Sequence, residues 1–145
     1  MPQSSKIIMG DQSQVAWTIL VASQDEAIQQ VVTAVLRGSG SKIIAARSLR
    51  IFFEQLAGSG VDFIVYDLDL EPLNAIDAFA IEKLYHPRIP AVLIYGALEN
   101  GATPAVLDRG VIFRMIKPVN IQDLKRILET ARRHKARSRN QSNFF

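Results

Sequence analysis

Five short apolar runs recur along the chain: TILVA (18–22), KIIAA (42–46), DFIVYD (62–67), AVLIY (91–95) and VIFRMI (111–116). Each is too short for a helix that spans a core. They are nearly continuous in apolar and branched side chains, the pattern of strands buried on both faces. The segments between them change period. Ile28, Val31, Val32, Val35 and Leu36 fall on one helical face, as do Leu49, Phe52, Phe53 and Leu56. Ile76, Phe79, Ala80 and Leu84 predict a third inward face, and Leu124, Ile127, Leu128 and Ala131 a last one. Ser23 or Asp25 can cap the first helix, Ser48 the second, and Asn120 with Asp123 the last. Thr103-Pro104 predicts a short helix over about 104–109. The result is a β-α unit repeated five times, with no other repeat and no internal linker. Right-handed crossovers turn this into a doubly wound five-stranded parallel sheet with about five helices.

Composition excludes several functions. The 145 residues, 48% apolar, suit a single core. No apolar run approaches the ~20 residues that span a bilayer, so no membrane insertion is expected. The opening MPQSSKIIMGDQSQ lacks a long apolar stretch and a cleavage site, which argues against a signal peptide and for a cytoplasmic setting. The absence of cysteine removes disulfides, thiol catalysis and thiolate metal sites, and His86 and His134 are the only histidines. The net charge of +3 is uneven: residues 120–145 carry 7 Lys+Arg against 2 Asp+Glu, while the rest is slightly acidic. This divides the chain into an extension (1–16), a globular domain (17–133) and a basic, polar tail (134–145).

In a doubly wound sheet, ligands gather at the carboxyl ends of the strands, near the point where strand order reverses. Few residues occupy those ends. Ser23, Gln24 and Asp25 follow the first strand, Asp67 and Asp69 the third, Gly96 and Ala97 the fourth, and Lys117 and Pro118 the fifth. A carboxylate and a lysine from separate strands thus converge on one crevice. An ion pair closing the sheet's end accounts for that convergence without any chemistry.

The order and spacing of TILVASQDEAI, VDFIVYDLDLEP, IPAVLIYGA and GVIFRMIKPVNIQDL resemble a response-regulator receiver domain, the module phosphorylated on aspartate in two-component signalling. The likeness covers about residues 17–133. It implies a flavodoxin-like fold with strand order 2-1-3-4-5. It also implies Asp67 as phosphoacceptor, Lys117 as the phosphoryl contact and Pro118 following through a cis bond. The partners implied are a sensor kinase, a phosphotransfer protein or an output protein. They would bind on the face of the fourth helix, fifth strand and last helix, which can also support a homodimer.

The chain departs from that pattern at four positions. The acidic pair that holds Mg²⁺ is replaced by Ser23 and Gln24. Gly96 stands where the family has Thr or Ser, and Arg114 where it has an aromatic switch residue. Mg²⁺ requires hard oxygen ligands, so its affinity is expected to be weakened; if bound, it would use Asp67 and the Asp69 backbone. Asp69 is otherwise read as loop polarity, its backbone nearer the site than its carboxylate, and Arg114 as a solvated edge residue. The expectation is therefore a degenerate receiver: no enzyme and no firmly held cofactor, working by protein–protein contact. Phosphorylation of Asp67 would be weak, metal-independent or absent. The alternative is an ordinary regulator phosphorylated on Asp67 by a histidine kinase.

Other classes fit less well. Asp67-x-Asp69 matches an aspartate-nucleophile phosphatase motif, but it follows the third strand and only 76 residues come after it. The basic tail could meet phosphate backbones, but it lacks interleaved aromatics before Phe144 and Phe145, so nucleic acid is not expected. The loop SQDE offers no phosphate cradle for a flavin.

Overall fold

The computed structural model describes residues 17–96 and 110–142, with side chains to residue 133. The elements are β1 (Thr18–Ala22), α1 (Glu26–Leu36), β2 (Lys42–Ala46), α2 (Leu49–Gly58), β3 (Phe63–Asp67), α3 (Ala75–Tyr85), β4 (Ala91–Tyr95), β5 (Val111–Ile116) and α4 (Ile121–Ser142). The strands form one parallel sheet in the order β2-β1-β3-β4-β5. This is the flavodoxin-like arrangement expected. The helix expected over 104–109, Ala97 and the extension 1–16 lie outside the described residues. The last helix continues to Ser142, through much of the segment read as tail.

Period-two alternation sorts each central strand between two cores. Ile19 and Val21, Phe63 and Val65, and Val92 and Ile94 face α1 and α4, where they meet Ile28, Val32, Leu124 and Leu128. Leu20 and Ala22, Ile64 and Tyr66, and Ala91 and Leu93 face α2 and α3, against Phe52, Leu56 and Phe79. Trp17 closes the amino end of the first core, its ring 5.1 Å from that of Phe63. The caps are local. Asp25 accepts from the Ala27 N–H, Ser48 from Ile51 and Asn120 from Asp123. Each satisfies an orphan amide of a first turn.

Two expectations about packing are corrected. Leu84 is 71% exposed, not inward-facing. The buried face of α3 runs through Ala75, Ala78, Phe79, Glu82 and Lys83, so its last turn is charged. Lys83 bends its amine onto the carbonyls of His86 and Ile89, which end the α3–β4 turn. A hydropathy count assigns such a residue to solvent, yet its stem packs well inside. The second correction concerns β5. As an edge strand it leaves Ile112, Phe113 and Ile116 about half exposed, and a register shift between Ala91 and Val92 interrupts its pairing with β4. No helix among the described residues is long and apolar enough to cross a membrane.

Candidate functional site

Asp67 ends β3, and the chain turns at once: the Leu70 N–H donates to its carbonyl at 3.0 Å and the Asp69 N–H to its Oδ1 at 2.9 Å. The side chain is thereby part of the turn and is almost wholly buried. Its other oxygen, Oδ2, accepts the Ser23 hydroxyl at 2.7 Å. Ser23 in turn accepts the Asp25 N–H at 2.9 Å, so a single hydroxyl links the end of β1, the cap of α1 and Asp67. Gln24 donates to the Leu70 carbonyl at 3.1 Å, tying the two loops together. Beneath them the buried Gln29 amide donates to the carbonyls of Val21 and Ser23. Nothing in the sequence around Gln29 marks it as a support of the β1 loop.

Lys117 enters from the end of β5, its N–H donating to the Tyr95 carbonyl, and the Lys117–Pro118 peptide is cis. Its Nζ lies 3.1 Å from Asp67 Oδ2, 3.1 Å from Asp69 Oδ2 and 3.8 Å from Asp25 Oδ2. Burial alone would lower the pKa of the amine. Hydrogen bonds and charge from Asp67 and Asp69 outweigh burial and raise it above its ordinary value. Three carboxylates therefore converge on one ammonium.

Asp69 departs from expectation. Its backbone does serve Asp67, but its carboxylate also enters the crevice, where Oδ2 accepts the Gly96 N–H at 3.2 Å as well as the Lys117 amine. Space explains this. A Cβ built on Gly96 would stand 3.2 Å from Asp69 Oδ2, closer than ordinary contact, so the missing side chain lets the carboxylate approach the Gly96 N–H without crowding. Arg114 sits in β5 level with Leu93, away from these groups; it is half-buried, not fully solvated.

The Ser23 hydroxyl and the Gln24 Nε2 are engaged within the loops, and the Lys117 ammonium stands where the carboxylates converge. Among the described residues no group of three or more His, Asp or Glu is arranged to hold a metal ion.

No family model matches the chain. Among curated proteins it is 28% identical over 118 residues to the transcriptional regulatory protein ZraR of Escherichia coli K12, covering 80% of this chain and 26% of that protein. It is 26% identical over 118 residues to the DNA-binding transcriptional regulator NtrC of Azospirillum brasilense, covering 80% of this chain and 24% of that one. The chain thus spans about a quarter of the length of these relatives. Among solved structures, NtrX of Brucella abortus superposes with a TM-score of 0.73 at 21% identity, over 90% of this chain and 30% of that one. A CheY-like receiver domain protein of Methanospirillum hungatei JF-1 gives 0.70 at 18% identity, over 86% and 99% of the two chains. A response regulator of Thermotoga maritima gives 0.69 at 14%, over 81% and 98%. Strand order and the solved structures agree on the fold of CheY-like receiver domains, and over 80% of its length the chain is similar in sequence to response regulators.

Proposed function

We propose that the chain is a degenerate receiver, a signalling module of a two-component or phosphorelay system that acts by binding other proteins and turns over no substrate of its own. Phosphorylation of Asp67 is weak, metal-independent or absent. The observation that carries this reading is the position of the Lys117 ammonium among Asp25, Asp67 and Asp69, with neutral Ser23 and Gln24 beside it. Phosphoryl transfer needs its developing charge neutralised, usually by metal. Here the Lys117 cation is already shared by three carboxylates. The face of β5 and α4 suits a sensor kinase, phosphotransfer protein or output protein. It holds a groove of about 360 Å³ bordered by Ile112, Phe113, Arg126 and Ile127.

Incubation with acetyl phosphate, with and without Mg²⁺, tests the reading by intact mass. Little or no phosphoryl increment is expected, and none that depends on Mg²⁺. Robust Mg²⁺-dependent modification at Asp67 would favour the second reading, an ordinary response regulator phosphorylated by a histidine kinase. That reading has one observation behind it: Asp67 and Lys117 remain in direct contact at 3.1 Å.

A further inference from the structure

We propose that Asp69 is a resident anion of the Asp67 crevice and controls whether a phosphoryl group can reach Asp67. A tetrahedral oxyanion approaching Asp67 needs donors beside it. The Lys117 amine and the Gly96 N–H are two donors at the mouth of the crevice, and one oxygen, Asp69 Oδ2, engages both, at 3.1 and 3.2 Å. The carboxylate therefore holds the place of a ligand oxygen.

Gly96 and Asp69 are matched for this. Any side chain at 96 would begin 3.2 Å from the carboxylate, which would have to give by a few tenths of an ångström and loosen its hold on the two donors. Charge acts in the same direction, because Asp25, Asp67 and Asp69 already outnumber the Lys117 cation and an incoming phosphate adds to the imbalance. The lock is also releasable. The Asp69 side chain is 46% exposed and can turn into water, whereas that of Asp67, at 2%, cannot.

The inference deepens the degenerate-receiver reading and rests on it for the low reactivity of the unaltered chain. The ligand class is a phosphoryl donor or free phosphate. In the transfer, an Asp67 carboxylate oxygen forms a bond to phosphorus, and the bond from phosphorus to the acetate oxygen breaks. Acetate departs with the electron pair.

The test compares the unaltered protein, Asp69→Ala and Gly96→Ala. Each is treated with acetyl phosphate and followed by intact mass, and each is titrated with inorganic phosphate while the residue-96 amide is followed by NMR. Asp69→Ala should gain the phosphoryl increment, or bind phosphate, at least about tenfold more readily than the unaltered chain. Gly96→Ala, which crowds the carboxylate while keeping Asp69, should move in the same direction to a smaller extent. Adding Asp67→Asn to Asp69→Ala should abolish the mass increment. If Asp69→Ala is neither modified faster nor binds phosphate more tightly, the inference is overturned, and an inert unaltered chain then leaves the degenerate-receiver reading standing. If the unaltered chain is robustly modified and Asp69→Ala more so, that reading falls and the control by Asp69 stands.

Discussion

Ser23 shows how one small side chain can hold a site together. Its hydroxyl donates to Asp67 and accepts from the Asp25 N–H, with no exposed surface. Ser23→Ala strands a buried carboxylate oxygen and a cap amide at once, and should lower stability by about 1–3 kcal/mol. The midpoint of urea unfolding measures this; an unchanged midpoint would mean that the hydroxyl is replaceable by water. The same position tests the metal argument. Ser23→Asp combined with Gln24→Asp places two further carboxylates beside Asp67, so the double variant should be less stable than the parent in chelator and regain stability on adding Mg²⁺. The parent should show no Mg²⁺-dependent change in Tm. Asp67, Lys117 and Gly96 were legible in sequence because each ends a recognisable strand, and position in a parallel sheet does the rest. The carboxylate of Asp69 was not legible. It lies beyond the strand, where alternation no longer fixes direction, and it bonds a backbone amide 27 residues later.

At the scale of the element, α3 is the instructive case. Its place between β3 and β4 was readable, but its orientation was not, because its buried face contains Glu82 and Lys83. Strand positions, caps and the faces of α2 and α4 could be read because apolar periodicity and burial agree there. In α3 they disagree. Glu82 is fully buried, and its oxygens accept no hydrogen bond among the described residues, although Lys83 Nζ lies 3.3 Å away. Burial pushes its carboxyl up to about 7, and the pull of Lys83 in the other direction does not offset this. The other titratable groups around it are His86, with Nδ1 3.9 Å away on the same helix, and Tyr66 of β3, whose phenol Glu82 helps to raise. A carboxyl whose folded pKa exceeds its ordinary value binds protons more tightly in the folded state. Its favourable contribution is complete below about 4.5 and is lost as pH rises to about 7. Stability should therefore fall across that window, by at most about 3 kcal/mol. Glu82→Gln should remove that slope while leaving the acid side of the profile in place. Urea midpoints measured from pH 4 to pH 8 would read it, and parallel profiles for the two proteins would show that Glu82 ionises in the fold without cost.

At the scale of the whole molecule, the sheet couples two cores that share no side chains. β3 gives Phe63 and Val65 to one and Ile64 and Tyr66 to the other, so neither core can open without releasing the strand that serves both. Aromatic contacts reinforce each side: Trp17 against Phe63 on one, and Phe52, Tyr66 and Phe79 in series on the other, with the Tyr66 hydroxyl donating to the Ala75 carbonyl. The chain has one tryptophan, and it lies in the first core, so its fluorescence reports one side of the sheet while far-ultraviolet dichroism reports the whole. Phe52→Ala removes a fully buried ring from the second core, far from the indole, and should cost about 3–5 kcal/mol. If the domain unfolds as one unit, the Trp17 transition in urea must shift to lower denaturant by as much as the dichroism transition, although the indole touches nothing that was changed. A fluorescence midpoint that stays in place while the dichroism curve splits would show instead that the α1–α4 face holds together alone, and that the strands at the crevice are less tightly coupled than their shared hydrogen bonds imply.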